Sequence, residues 1–334
     1  MHRVGIDNYG LYPLALSPLE TLEWASQHGA SGVAFSGLSA GDLRLINQDY
    51  LRELRTRAEE LGLYVEWGGG QHIPRDLSSW SAKDIFSVNQ RAAAEAETLG
   101  TRIVRSCSGG LMRWQPSSPP TEMLLAETAA SLLKQREMLR GHGVILALET
   151  HFEFTTHELV QLFEMCEAEP QDWLGICLDT MNLLIMLEDP LTATRRVLPW
   201  VVSTHIKDGA IILDEEGFRV FTTPIGKGSV NLESILGILH SVNRPLNLNV
   251  EAHGGDFLIP VFSPLFLSRF PDISAGELAR LVERAMVGLK SFNQGEIFIQ
   301  PREEWGQVCE KRLAQDLEAF NEIARASRAH LNQQ

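Results

Sequence analysis

The sequence has no paired-cysteine spacing, no long apolar run, no basic cluster, no internal repeat of fixed length and no low-complexity tract. Each absence removes a class of protein. Its four cysteines, Cys107, Cys166, Cys177 and Cys309, are scattered, which argues against a zinc knuckle or a disulfide framework and fits a reducing cytoplasm. No stretch approaches the ~18 apolar residues of a membrane span. The start, Met1-His2-Arg3-Val4-Gly5-Ile6-Asp7, has no positively charged region leading into an apolar one, so neither secretion nor a membrane partner is expected. With 29 Lys and Arg against 43 Asp and Glu, the formal charge of -14 repels polyphosphates, and nucleic acid is not an expected partner either. The glycine triplet Gly68-Gly69-Gly70 lacks a following P-loop lysine pattern and reads as a flexible loop.

What is present is a rhythm. Of the 334 residues 44% are hydrophobic, enough for a sizeable core, and they fall into short runs that alternate with stretches of helical spacing. The strand-like runs are 4–6, 32–35, 63–67, 102–105, 144–148, 174–178, 201–206 and 246–250. Between them lie helix candidates at 18–28, 47–61, 82–99, 122–141, 156–168 and 232–241, and glycine follows several, as at Gly29, Gly62, Gly100 and Gly141. Parallel strands joined by crossover helices, repeated about eight times, predict a (β/α)8 TIM barrel, with a doubly wound open sheet as the alternative. The chain reads as a single domain over 1–334, in which 256–334 is a long loop followed by C-terminal helices. Within it, 256–273 is expected to be a loop over the barrel mouth. A helix over 275–292 is expected to turn Leu278, Leu281, Val282, Ala285, Met286 and Leu289 inward. A second helix over 303–326 follows; both read as scaffold, with a homo-oligomer contact as the alternative.

In a barrel the chemistry sits at the C-terminal ends of the strands. Glu149 closes 144–148, Asp179 closes 176–178, His205 lies in 201–206 and Glu251 closes 248–250, so four polar residues end four successive strands. Singly, an acid after a strand caps a helix or faces water. Three clustered carboxylates without a cation would repel and take up protons, a cost that one divalent metal ion removes. One imidazole and three carboxylates form an oxygen-rich set suited to Mn2+, with Mg2+ or Co2+ as substitutes.

The motifs around these residues are Ala147-Leu148-Glu149-Thr150-His151, Cys177-Leu178-Asp179-Thr180, Thr204-His205-Ile206-Lys207-Asp208 and Val250-Glu251-Ala252-His253. Together they resemble the xylose isomerase-like barrel superfamily of sugar isomerases, ketose 3-epimerases, inosose dehydratases, keto-sugar-acid decarboxylases and apurinic endonucleases. The resemblance spans about Val4 to His253 and implies that Glu149, Asp179, His205 and Glu251 hold the metal. Two positions depart from it. Asn182 stands where the epimerases and endonucleases carry a histidine, which argues against a three-metal nuclease site, and Thr155 replaces a second glutamate of the epimerases. The pattern is closer to the unassigned isomerase-like and decarboxylase branches.

Around this set, His151 is placed to relay a proton or hold a hydroxyl, unless it faces solvent. Lys207 shares the face of His205 and could bind a carboxylate or an enediolate oxygen, unless it pairs with Asp208 or another acid. Glu66 and Arg105 end strands and are candidates to line the pocket; His253 is a further one, and the long loop after His205 brings Arg219 and Lys227 to the substrate side. The expected function is a metal-dependent isomerase or epimerase of a sugar through an enediolate, with Glu149 and Glu251 moving the proton. Its rivals are a metal-dependent decarboxylase of a 3-oxo sugar acid and a non-catalytic sugar-binding barrel. A small sugar or sugar acid is the expected partner.

Overall fold

A computed structural model of the protein describes residues 2–108, 110–242 and 244–331. In chain order the strands are β1 (Arg3–Asp7), β2 (Gly32–Phe35), β3 (Tyr64–Gly70), β4 (Ile103–Ser106), β5 (Ile145–Glu149), β6 (Leu174–Asp179), β7 (Val201–Ile206), β8 (Asp208–Leu213), β9 (Phe218–Thr223), β10 (Asn247–Val250) and β11 (Asp256–Ile259). Eight of them close a parallel barrel in the order β1-β10-β7-β6-β5-β4-β3-β2. The expected barrel therefore stands, and the open sheet does not. Both faces of these strands are covered, which is why runs such as Ile145–Glu149 and Leu174–Asp179 are buried at every position rather than at alternate ones.

Local signals set the helix ends. Ser17 and Glu20 form a reciprocal cap at the start of Pro18–Gln27, as do Thr155 and Glu158 before Thr156–Met165. Gly100 ends Ile85–Leu99 in the left-handed conformation at φ 76°. The helix expected over 122–141 is two helices, Thr121–Leu133 and Arg136–Gly141. At the break the buried Gln135 accepts at its Oε1 a hydrogen bond from Asn89 Nδ2 at 2.7 Å.

Two expectations need correction. The long loop after His205 is a β-hairpin, β8 with β9, and the first part of the loop expected over 256–273 is β11, which adds antiparallel to β9. Ala210, Ile212 and Phe221 on this small sheet bury against Ile297 in a satellite cluster, and the first five positions of β8 are all buried, so no period-two alternation marked it off from the strand just before it. The hairpin turns at Asp214 to Gly217, where Asp214 N donates to Gly217 O at 2.8 Å. A Cβ on Gly217 would stand 2.2 Å from the Ile259 carbonyl oxygen, so only glycine fits beneath β11.

Helix Ala275–Asn293 lies on β8, with Gly288 so close that a Cβ there would meet Ile211 O at 2.2 Å. Its buried face is Glu277, Leu281, Ala285 and Gly288; Val282 and Met286, expected to turn inward, are exposed. Helix Trp305–Leu331 buries Trp305, Cys309, Leu313, Leu317 and Phe320 against the barrel. Among the described residues no helix is long and apolar enough to cross a membrane.

Just past β3, His72 is buried, with Nδ1 2.9 Å from Ser106 Oγ. Burial pushes its pKa down from 6.5 to about 4, against the pull of Glu153. The unfolded chain takes a proton on this imidazole below pH 6.5, and the native state does so only near pH 4. Stability from this residue is therefore complete above pH 6.5 and is lost as pH falls, by about 2 kcal/mol at pH 5. Denaturant unfolding at pH 8 and pH 5 should show this loss in the wild type and a smaller one in His72→Gln. Equal losses in both would contradict it.

Candidate metal centre and pocket

Register brings the strand ends together. Glu149 pairs with Cys177, two residues short of Asp179; Asp179 pairs with His205; and His205 pairs with Asn249, two residues short of Glu251. Steps of two preserve the inward direction of a strand side chain, so all four point into the same end of the barrel. One ligand atom from each lies within 4.8 Å of those of the other three, and all four residues are buried.

The details favour a cation between them. His205 Nδ1 is 2.7 Å from Glu251 Oε2 and 3.3 Å from Glu149 Oε1, while its Nε2 faces Asp7 Oδ2 at 3.3 Å. A carboxylate behind the imidazole fixes the ring and leaves Nδ1 for the centre. Asp179 Oδ1 accepts the backbone N–H groups of Met181 at 3.0 Å and Asn182 at 2.9 Å, which turns Oδ2 inward. Asp179 Oδ2 and Glu251 Oε2 are buried, the first 2.8 Å from Lys207 Nζ and the second 2.7 Å from His205 Nδ1. Three buried carboxylates this close together are costly unless positive charge offsets their mutual repulsion. The residues present fit a divalent ion.

Two side-chain cations border the cluster. Arg105 pairs with Glu149, and Lys207 Nζ lies 2.8 Å from Asp179 Oδ2 and 3.0 Å from Glu251 Oε1. Burial opposes the charge on Lys207, but Asp179, Glu251 and Glu149 outweigh it and hold its pKa above the ordinary value. Burial raises Glu149 and Glu251, yet Arg105 and His205 on the first and Lys207 and His205 on the second bring both below the usual carboxylate range. Asp179 is raised, by burial and by the two neighbouring glutamates.

Beside the cluster opens a cavity of about 340 Å3. Arg105, Glu149, His151, Lys207, Glu251 and His253 line it, with Phe152 and Phe257 among its walls. His151 Nδ1 sits 3.0 Å from Glu153 Oε2. Burial lowers the His253 pKa to about 4, helped by Lys207, so it is neutral at pH 7. Lys207 pairs with the metal-site acids rather than with Asp208, whose carboxylate instead accepts N–H groups from Gly209, Gly226, Gly228 and Val230.

Three pocket candidates lie elsewhere. β3 continues to Gly70, so Glu66 is in mid-strand rather than at the rim, and its carboxylate accepts from Ser203, Asn247 and Asn249 inside the barrel. Arg219 is on β9, where it pairs with Asp214 at 2.9 Å and with Asp256, and it does not line the cavity. Lys227, in the turn after β9, does not line it either. Sequence reasoning missed Asp7, although it closes β1 just as Glu149 closes β5. It also missed Tyr9, Phe257 and Arg302, whose places at the cavity depend on segments folding back onto it.

Residues 22–265 match a family model described as the xylose isomerase-like TIM barrel. The chain is 25% identical over 257 residues to YihM, an uncharacterized protein of Escherichia coli, covering 76% of this chain and 71% of that one. It is 24% identical over 263 residues to a 3-oxo-isoapionate decarboxylase of Pectobacterium atrosepticum, covering 74% and 83%. Among solved structures, an L-ribulose 3-epimerase superimposes with a TM-score of 0.64 over 100% of this chain and 98% of that one, at 20% identity, a likeness of fold.

Proposed function

This chain belongs to the xylose isomerase-like TIM barrel family, and on that premise we propose that it is a divalent-metal-dependent isomerase or epimerase of a sugar or sugar derivative. The observation that carries the reading is the convergence of Glu149, Asp179, His205 and Glu251, all buried, with one ligand atom from each within 4.8 Å of the others. Mn2+ suits this donor set best, with Mg2+ or Co2+ as substitutes. A divalent ion held there supplies a Lewis acid that acidifies a C–H beside a carbonyl and stabilises the resulting enediolate charge. Glu149 and Glu251 each turn one oxygen toward His205, and both border the cavity. They take and return the proton on opposite sides of the reacting carbon. Lys207 and Arg105 keep these carboxylates ionised and give positive charge to the cavity where the enediolate oxygens develop. His151, backed by Glu153, holds a substrate hydroxyl or relays a proton.

A second reading is loss of CO2 from a 3-oxo sugar acid, which generates the same enediolate. It is favoured by the likeness to a protein named as a 3-oxo-isoapionate decarboxylase. Mn2+-loaded protein incubated in D2O with ketoses and 3-oxo sugar acids separates the two. Deuterium at the carbon beside the carbonyl of a ketose supports isomerisation or epimerisation; faster release of CO2 from an acid supports decarboxylation. Neither exchange nor CO2 release from any member would remove the enediolate mechanism.

A further inference from the structure

The cavity beside the four-residue cluster holds three Arg or Lys cations, and two are already paired. Arg105 meets Glu149, and Lys207 meets Asp179 and Glu251. The third, Arg302, lies beyond the segment that the family model matches and reaches the cavity from the stretch leading into the last helix. Among the described residues no carboxylate is within 4.0 Å of its guanidinium; its NH1 instead stands 3.5 Å from the hydroxyl of Tyr9, which lines the same cavity.

An unpaired arginine on a surface is ordinary, but this one is seated by the backbone. Gly255 N donates to Gln300 O at 2.8 Å. A Cβ on Gly254 would come within 2.8 Å of Pro301 O and 3.1 Å of Arg302 Cα, and one on Gly255, at φ +97°, within 3.1 Å of Arg302 Nε. The loop that leaves Glu251 is therefore Gly-Gly where the Arg302 segment lies against it. Behind Arg302, Trp305 is buried and its Nε1 donates to Gly10 O at 2.9 Å, next to Tyr9. The placement of Arg302 is thus tied both to the strand exit that carries Glu251 and to the one that carries Asp7.

We infer that Arg302, with the Tyr9 hydroxyl, forms a subsite for an anionic group of the substrate, a carboxylate or a phosphate ester on a sugar derivative. Guanidinium donors match either group in a bidentate fashion, and in a chain of formal charge -14 an uncompensated cation at a pocket mouth selects an acid over its neutral counterpart. The inference rests on reading the adjoining cluster as the centre that acts on a sugar, and it names the class of sugar.

Calorimetry on Mn2+-loaded protein tests it with D-glucose, D-glucuronate and D-glucose 6-phosphate, together with D-xylose and D-xylonate and with D-xylulose and D-xylulose 5-phosphate. At least one acid should bind about tenfold or more tightly than its neutral counterpart, and the carboxylate and phosphate arms show which anion is read. In Arg302→Leu that advantage should fall below about twofold, whereas Arg302→Lys should keep part of it, and raising KCl should weaken it in the wild type. Mn2+ affinity, measured on the same samples, should be unchanged in both variants. If the wild type fails to hold Mn2+, the metal reading fails, while the comparison of wild type with Arg302→Leu still scores the anion subsite. No preference for any acid, or a preference that survives in Arg302→Leu, would overturn the inference.

Discussion

Asp179→Asn should abolish tight Mn2+ binding while leaving the barrel folded. The amide oxygen can still accept from Met181 N and Asn182 N, which are 3.0 and 2.9 Å from Asp179 Oδ1, so the turn after β6 is kept. The inward Oδ2, 2.8 Å from Lys207 Nζ, becomes an amide NH2 that cannot ligate a cation. Losing a residue that only supports a ligand costs roughly 10–100-fold in metal affinity, so losing a charged ligand should cost more than about 100-fold. Turnover of any substrate should fall with it, by on the order of 1000-fold at Mn2+ concentrations that saturate the wild type. Calorimetric titration with Mn2+ checks this, with circular dichroism as the control for folding. Affinity within tenfold of the wild type would remove Asp179 from the centre.

Lys207→Met should make the metal-free protein markedly less stable and more dependent on metal. Lys207 is 4% exposed and contacts both Asp179 and Glu251. Its removal leaves two buried carboxylates without their positive neighbour, a loss of about 3 to 5 kcal/mol. Because Mn2+ binds the native state alone, adding it should raise the unfolding temperature more in the variant than in the wild type. Kinetics then distinguish the two chemistries. With a neutral sugar, kcat should fall with little change in substrate affinity; with a sugar acid, affinity should fall as well. Unchanged metal-free stability together with wild-type turnover would mean that Lys207 supports neither the centre nor the reaction.

The barrel was legible because its signals are local. Runs such as 144–148 and 201–206 reappear as β5 and β7 within a residue, and Gly100 ends its helix where its freedom at positive φ is needed. The convergence of Glu149, Asp179, His205 and Glu251 was also legible, since strand order and inward parity follow from the repeat. What failed was anything set by distant packing. Gly68-Gly69-Gly70 does not look like a strand, yet it extends β3 and leaves Glu66 below the rim. β8, β9 and β11 form a sheet whose pairing is antiparallel and partly remote in sequence, and it draws Arg219 into ion pairs with Asp214 and Asp256. Arg302 carried no signal of its own; only its contact with Gly254 and Gly255 places it at the cavity. Asp7 was different, because a carboxylate closing the first strand was there to be read.

The most direct test of the metal centre is anomalous diffraction at the manganese edge from crystals grown with Mn2+. One peak per chain, within coordination distance of Glu149, Asp179, His205 and Glu251, is the expected result. No peak among these four residues in crystals equilibrated with excess Mn2+, or a peak bound only elsewhere, would contradict it.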